Sequence, residues 1–236
     1  MKQYEMILFD MDGTLLPMDI EEFTKGYFKL LCKKLVPMGF EKDSLINAIW
    51  TGTGAMVQND GKFTNKEVFF AAYEKCLNRS AVKDQPLFDE FYANEFDGAK
   101  DFCGYDPKVS DFIKELKSAG YRVAVATNPI FPQMAMRKRL SWAGLDPDGF
   151  EHITSYENSH FCKPNPAYYT EVAEKLGVNP DKCLMIGNDA TEDLAAAKTG
   201  MDVFILTDHL LNRNNVDITS VPHGGYQELH QYIFEK

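Results

Sequence analysis

The sequence predicts an α/β protein in which a doubly wound parallel sheet carries an inserted, all-helical second domain. Three observations lead to this prediction. Short apolar runs each stop at a polar residue, helical patterns alternate with these runs over residues 106–208, and a long helical stretch without a β-rich run follows the first apolar run. Strands that alternate with helices are typical of a parallel sheet with right-handed crossovers.

The strand candidates are short apolar runs, which is typical of strands buried on both faces. A weaker run, residues 152–155, is predicted as an edge or short strand. Ligands of open parallel sheets bind at the carboxyl ends of the strands, so the polar residues that end each run are candidates for a site. The main runs are residues 6–9, 121–126, 183–187 and 202–206, followed by Asp10, Thr127, Asn188 and Thr207.

Helix signals separate these strands. Asp106 and Pro107 form a cap with proline at the first helical position, apolar residues follow at helical spacing, and Gly120 ends the pattern. Similar patterns predict helices over residues 166–176 and 192–198, each closed by a glycine.

Residues 17–97 interrupt this alternation, because their aromatic and aliphatic residues recur at helical spacing. The expected division is a Rossmann-like core of residues 1–16 and 98–236 and a helical cap domain of residues 17–97. Polar stretches near residues 17–19 and 97–99 are the expected crossings. Within the cap, residues 50–56 (WTGTGAM) are expected to form a flexible glycine-containing loop.

Composition limits the possible partners. The 44% of hydrophobic residues can form a core, and a formal charge of −10 disfavours binding to nucleic acid or to an anionic membrane. No apolar run approaches the roughly 20 residues of a membrane span, and the N-terminus does not resemble a signal peptide. Five widely spaced cysteines without a CxxC pair favour reduced thiols, so a cytoplasmic location is expected.

The most informative segment is the acidic loop after the first strand. Asp10 and Asp12 lie two residues apart and precede a Gly-Thr turn. A solvated turn or a Ca²⁺ site would also be acidic, but Leu15 and Leu16 supply no oxygen donor for calcium. A catalytic or Mg²⁺-binding role is favoured.

Two further segments carry weaker signals. Thr127 and Asn128 could hold a phosphoryl oxygen, although a simple turn is the alternative. Lys163 lies in a rigid Lys-Pro-Asn-Pro loop, where a surface lysine is the alternative.

A second acidic segment follows the third strong strand. Asp189 is at the strand tip and Asp193 lies one helical turn further on, where acids also complement a helix dipole. Asp189 would bring a third carboxylate to the sheet edge that holds Asp10 and Asp12, and clustered acids need a cation.

Together the four segments resemble the motifs of the haloacid dehalogenase superfamily, in its phosphatase branch with a helical cap inserted after the first motif, as in phosphoglycolate phosphatase and β-phosphoglucomutase. Residues 10–14 resemble the first motif, Thr127 the second and Lys163 with Pro164 the third. Asp189 and Asp193 resemble the fourth; Asn188 stands where many relatives have a glycine or an acid.

The resemblance implies a Mg²⁺-dependent phosphatase that acts on a small phosphorylated metabolite through an aspartyl-phosphate. Asp10 would be the nucleophile and Asp12 the general acid and base. Mg²⁺ would be held by Asp10, by the main-chain carbonyl of Asp12 and by Asp189. Thr127, with Asn128, and Lys163 would bind the phosphoryl group. Asp193 would orient Lys163 or a metal-bound water, with Asn188 beside it.

Other functions share parts of this pattern. Asp12 argues against a dehalogenase, which needs no proton donor there. A sugar phosphomutase would want cationic groups in the cap, for which Lys25, Lys29, Lys33, Lys34 and Lys42 are available. A receiver-type signalling module or an inactive phosphoryl-binding protein is a non-enzymatic alternative, but a receiver would be about half as long.

The cap loop is the expected place of substrate selection. Trp50 and Gly52 would contact the substrate if the loop faces the nucleophile, and the alternative is a connecting loop that faces away.

Overall fold

A computed structural model of the chain describes residues 4–235, so residues 1–3 and 236 of the expected core lie outside the described residues. The elements in chain order are β1 (Met6–Phe9), α1 (Ile20–Leu35), α2 (Lys42–Val57), α3 (Asn65–Leu77), α4 (Ala81–Ala93), α5 (Pro107–Ser118), β2 (Arg122–Val125), α6 (Gln133–Trp142), α7 (Pro166–Leu176), β3 (Cys183–Gly187), β4 (Asp202–Leu206), β5 (His223–Gly224) and α8 (Tyr226–Phe234).

The strands form one parallel sheet, as predicted. Within residues 4–235 its order is β2–β1–β3–β4–β5, and Met6 of β1 lies opposite Arg122 on one side and Cys183 on the other. Buried apolar side chains cover both faces, which explains why the strand sequences are continuously apolar. The weak run at 152–155 is not a strand: Ile153 makes a single bridge to Val125.

The core helices follow their capping signals. The helix α7 begins after Asn165, whose side chain accepts from the amide of Ala167, and ends at Gly177 in the left-handed conformation. The helix predicted over residues 192–198 is a 3₁₀ helix, Asp193–Thr199, and not an α-helix. The sequence also gave no prediction for α6, α8 and the two-residue strand β5.

The four helices α1–α4 lie between β1 and β2 in the chain and pack around aromatic side chains. The two connections to the sheet pair with each other, because Met18 bridges Cys103 and the amide of Gly104 donates to the carbonyl of Pro17 at 2.6 Å. The expected crossing at 97–99 lies inside a 3₁₀ helix, Glu95–Phe102. The domain boundaries themselves stay a prediction. None of the helices among residues 4–235 is long and apolar enough to cross a membrane.

The prediction of a loop at residues 50–56 is wrong, because these residues continue helix α2 to Val57. The hydroxyl groups of Thr51 and Thr53 donate to carbonyls one turn earlier, at 2.8 and 2.9 Å. Gly52 is buried, and a Cβ atom built there would lie 2.5 Å from the ring of Phe69 in α3. The glycine therefore permits close approach of two helices.

A buried asparagine fastens α3 to the sheet half of the molecule. The side-chain amide of Asn65 donates to the carbonyls of Pro129 and Phe161 at 3.3 and 3.2 Å. Its main-chain amide donates to Ser159 at 2.8 Å, and the amide of Lys66 donates to Tyr156 at 2.7 Å. The helical layer thus has a second attachment besides its two chain connections.

Candidate active site

The carboxyl ends of three adjacent strands bring the predicted residues to one edge of the sheet. Asp10 follows β1, Thr127 follows the neighbouring β2 by one residue, and Asp189 follows β3 on the other side. The ladder continues to the edge, because the amide of Asp10 donates to the carbonyl of Ile186 at 2.8 Å. The first carboxylate is therefore held on rigid backbone.

Lys163 joins two of the predicted carboxylates. Its ammonium donates to Oδ1 of Asp10 at 2.8 Å and to Oδ1 of Asp193 at 2.6 Å, and its exposed fraction is only 1%. Burial by itself lowers the pKa of Lys163, but the two neighbouring carboxylates raise that pKa well above its usual value. Lys163 is therefore a permanent cation beside Asp10, and not the surface lysine of the alternative interpretation.

Asp193 supports the site through its contacts with Lys163 and Asp189. Burial raises the pKa of Asp193 to about 6, although Lys163 opposes the shift, so the group is a carboxylate at neutral pH. Its second oxygen accepts from the amide of Asp189 at 2.9 Å. A Cβ at Gly187 would lie 2.0 Å from that oxygen, so this contact requires glycine at the end of β3.

Asn188 braces the acidic loop. It accepts from the hydroxyl of Thr14 at 3.2 Å and donates to the carbonyl of His209 at 2.6 Å. Gly13 has a φ of 76°, and a Cβ there would lie 2.3 Å from the amide nitrogen of Asn188. The Gly-Thr turn thus fixes the direction of the loop that carries Asp12.

Thr127 is buried and its backbone is held by two hydroxyl groups. The main-chain carbonyl of Thr127 accepts from Thr154 at 2.9 Å and from Tyr168 at 2.7 Å. Next to it, the side-chain amide of Asn128 donates to both carboxylate oxygens of Glu192 at 3.2 Å. Burial raises the pKa of Glu192 to about 7. Among the described residues the side-chain oxygen of Asn128 is buried without a hydrogen-bond partner.

Asp12 forms an ion pair with Arg139, a residue that the sequence analysis missed. Arg139 lies in α6 with an exposed fraction of 1%, and its guanidinium stacks over the rings of Phe23 and Phe131 at 5.0 and 5.2 Å. Burial lowers its pKa to about 10, so it remains charged at neutral pH. A signal existed, because Arg139 shares the buried face of α6 with Met136.

The donor groups at this edge suit a hard divalent cation. One oxygen of Asp10 is bonded to Lys163, and one oxygen of Asp189 accepts from the amides of Thr191 and Glu192 at 2.7 and 2.8 Å. The second oxygen of each carboxylate makes no hydrogen bond to another described residue, and carboxylate and carbonyl oxygens are the donors that Mg²⁺ prefers. Residues 4–235 gather no group of three acidic, histidine or cysteine side chains for a metal, so a cation here needs main-chain or water oxygens as well.

A cavity of about 360 Å³ lies between the helical layer and this edge. Asp12, Asn128 and Glu192 line it from the sheet side, and Trp50 of α2 lines it from the helical side with an exposed fraction of 53%. Gly52 is not among the lining residues; it faces α3 instead. Of the two predicted cap residues, only Trp50 is therefore in a position to contact a substrate.

Comparisons with known proteins agree with this geometry. A family model described as haloacid dehalogenase-like hydrolase matches residues 4–200. Phosphoglycolate phosphatase of Psychrobacter arcticus is 27% identical over 205 residues, which cover 86% of this chain and 83% of that protein.

Two solved structures share the fold. A predicted phosphoglycolate phosphatase from Haemophilus somnus superposes with a TM-score of 0.61 at 21% identity, covering 98% of this chain and 99% of that one. A HAD-hydrolase from Bacillus subtilis, solved bound to magnesium, superposes with a TM-score of 0.57 at 20% identity, covering 99% of this chain and 100% of that one. At these identities the likeness concerns the fold.

Proposed function

Because the chain belongs to the haloacid dehalogenase-like hydrolase family, we propose that it is a Mg²⁺-dependent phosphatase that hydrolyses a small phosphorylated molecule through an aspartyl-phosphate. The observation that carries the proposal is the buried ammonium of Lys163, shared between Asp10 and Asp193 at the carboxyl edge of the sheet. We further propose that residues 1–16 and 98–236 form the catalytic core and residues 17–97 the cap domain.

Asp10 is the nucleophile of the proposed reaction. Lys163 donates to Oδ1 of Asp10 and orients the carboxylate. One carboxylate oxygen would hold the metal, and the other attacks phosphorus in line. The new bond joins that oxygen to phosphorus, and the bond from phosphorus to the leaving alcohol breaks. The positive charge of Lys163 also offsets the repulsion between the carboxylate and an approaching phosphate.

Asp12 transfers protons in both halves of the reaction. Asp12 enters the first step protonated, because the negative charge of the arriving phosphate opposes its pairing with Arg139 and favours the neutral carboxyl group. It gives that proton to the leaving oxygen, and it then takes one from the water that attacks the aspartyl-phosphate, which releases inorganic phosphate and restores Asp10 and the protonated Asp12. The ion pair with Arg139 positions the carboxyl group of Asp12 on the cavity wall. A carboxyl group two residues after the nucleophile and on the cavity wall favours a phosphatase over a dehalogenase, which needs no proton donor there.

The phosphoryl oxygens need donors, which the loop after β2 offers. Thr127 is buried beside the edge, and Asn128 lines the cavity next to it. Mg²⁺, when bound by Asp10, Asp189 and the main-chain carbonyl of Asp12, would supply positive charge that stabilises the transferring phosphoryl group.

A phosphomutase fits this site less well. Such an enzyme must hold a second phosphate, which requires cations in the cap. Of the side chains that line the cavity, only Arg213 is cationic, and it does not belong to the helical layer. The lysines of α1 and the first turn of α2 lie elsewhere; Lys34, for example, pairs with Glu90 and Glu95.

The test is release of inorganic phosphate from an aryl phosphate, with Mg²⁺ and with excess chelator. Wild type is expected to turn over only with the metal, and Asp10→Asn is expected to retain less than about 1% of the activity while keeping the fold, because an amide is a poor nucleophile of the same size. Metal-independent turnover, or an active Asp10→Asn variant, would overturn the proposal.

A further inference from the structure

The cavity beside Asp12 has walls of an unusual kind for a site that takes a small anion. Ten of its twenty lining side chains are aromatic. They come from both sides, with Tyr27 and Phe69 in the helical layer and Phe131 and Tyr156 in the loops that follow β2. A ligand in this cavity therefore meets rings on both sides.

The cavity also lacks the charge that a small anionic leaving group would need. Its charged lining residues, within the part of the chain that the structure describes, are Asp12, Glu192 and Arg213. Arg213 is an exposed residue, and Arg139 is already paired with Asp12. A leaving group with its own carboxylate would thus be buried among rings and acids, and the exposed Arg213 is its one potential counter-ion among the described lining residues, which is unfavourable.

Several polar atoms of the helical side of the cavity already have hydrogen-bond partners, whereas the side-chain oxygen of Asn128 at the sheet edge has none among the described residues. The hydroxyl groups of Tyr27 and Tyr92 are hydrogen-bonded together at 2.9 Å, and the hydroxyl of Thr53 donates to the carbonyl of Ile49. A sugar with many hydroxyl groups would find few partners here, whereas an apolar group would lose nothing.

The walls are also held open by their own packing. Phe69 contacts Phe70, Tyr73 and Tyr156 with ring centroids 5.1, 6.2 and 6.3 Å apart. On the other side Tyr27 contacts Phe131 at 5.6 Å. The Phe69–Phe70 and Tyr27–Phe131 pairs are edge-to-face, and Phe69 stacks with Tyr73. Rings packed in this way hold one another in place, so the cavity is a formed pocket.

Resting on the proposed phosphatase function, we infer that the substrate is a phosphomonoester whose leaving alcohol carries an uncharged aromatic or bulky apolar group. The phosphate would bind at the sheet edge beside Asp10, and the ring would lie in the cavity against the aromatic side chains of its wall. Trp50, half-exposed and 5.5 Å from the ring of Phe28, forms the outer wall. Phosphoglycolate, the compound in the relatives' names, carries a charged leaving group and is therefore not the expected substrate of this chain.

The test compares kcat/KM with Mg²⁺ for two pairs of esters of similar leaving ability. Benzyl phosphate is expected to exceed phosphoglycolate, and 2-naphthyl phosphate to exceed phenyl phosphate, each by about tenfold or more, the gain that an apolar pocket gives for added apolar surface. Turnover that favours phosphoglycolate would overturn the substrate class and leave the phosphatase intact. No phosphate release from any of the four would overturn the phosphatase itself.

Two variants and one control place the effect in the cavity. Trp50→Ala is expected to raise KM for 2-naphthyl phosphate and to leave phosphoglycolate nearly unchanged. Phe63→Ala removes another exposed ring, 59% exposed and outside the cavity lining, and should change neither. Thr53→Arg adds a cation to the wall and should shift the ratio of kcat/KM toward phosphoglycolate. Equal behaviour of the Trp50 and Phe63 variants, or an unchanged ratio in Thr53→Arg, would contradict the inference.

Discussion

Two glycines of one helix should respond in opposite ways to the same substitution. Gly52 and Gly54 both lie inside α2. A Cβ at Gly52 would be 2.5 and 2.6 Å from two ring carbons of Phe69, whereas a Cβ at Gly54 would have nothing within 4 Å. The pair therefore separates helix propensity, which both sites share, from packing, which only one site feels.

The expected magnitudes follow from these contacts. Alanine in a helix interior is more favourable than glycine by about 1 kcal/mol, so Gly54→Ala should stabilise the protein by about 0.5–1 kcal/mol. At Gly52 the same gain is opposed by overpacking of about 1–3 kcal/mol, since Phe69 is packed against Phe70 and Tyr73 and can move aside only toward the cavity. Gly52→Ala should therefore be destabilising by about 1–2 kcal/mol.

Urea unfolding and thermal melts measure both variants against wild type. For a chain of this length about 1 kcal/mol corresponds to about 2–4 °C in Tm, so the two variants should differ by about 4–10 °C. Because Phe69 also lines the cavity, Gly52→Ala should raise KM for a bulky aryl phosphate, which Gly54→Ala should not. If Gly52→Ala is as stable as Gly54→Ala, the close approach of α2 and α3 is refuted.

Three further outcomes can be measured. Asp12→Asn should lose about 10²–10⁴-fold in kcat on alkyl phosphates but much less on 4-nitrophenyl phosphate, which leaves without a proton; equal losses would exclude Asp12 as the general acid. Arg139→Met should lower kcat at least about tenfold, with little change in KM and an altered pH profile, because Asp12 loses the partner that positions it. Arg139→Lys should recover part of the loss, and a change in KM alone would contradict this role. Burial lowers the pKa of His152, so the unfolded chain binds more protons below about pH 6.5 and the free energy of unfolding should rise with pH up to that value. In His152→Gln that part of the pH slope should vanish, and an unchanged slope in urea titrations at pH 5–7 would show that other groups cause it.

The sheet and its acidic edge could be predicted because each strand is a continuous apolar run that ends in a polar residue. Residues 6–9 and 183–187 are uniformly buried, because runs without polar side chains are stable only in the interior of the sheet. Lys163 could be singled out because Pro164 and Pro166 follow it and make its loop rigid, and the structure buries it between carboxylates.

The features that were missed depend on packing between distant segments. Glycines and threonines at 51–54 are typical of a loop, and the need for glycine at position 52 of the helix becomes clear only from the ring of Phe69 in α3. Arg139 stands in a basic run with Arg137 and Lys138, which resembles a solvated face. The aromatic residues of α1 and α3 fit a core and a cavity wall equally well, because helical spacing does not show whether the space opposite a ring is filled.

The attachment of Asn65 has a consequence for the kinetics of ligand exchange. The first turn of α3 is bonded to the carbonyls of Tyr156 and Ser159, and the Asn65 side chain to those of Pro129 and Phe161. Swinging the whole helical layer away from the sheet would break all of these hydrogen bonds together. A bulky ligand is therefore expected to enter and leave the cavity beside the half-exposed Trp50. Residence time would then be set by the motion of a few side chains, and the amide hydrogens of Asn65 and Lys66 should exchange with solvent as slowly as those of the sheet.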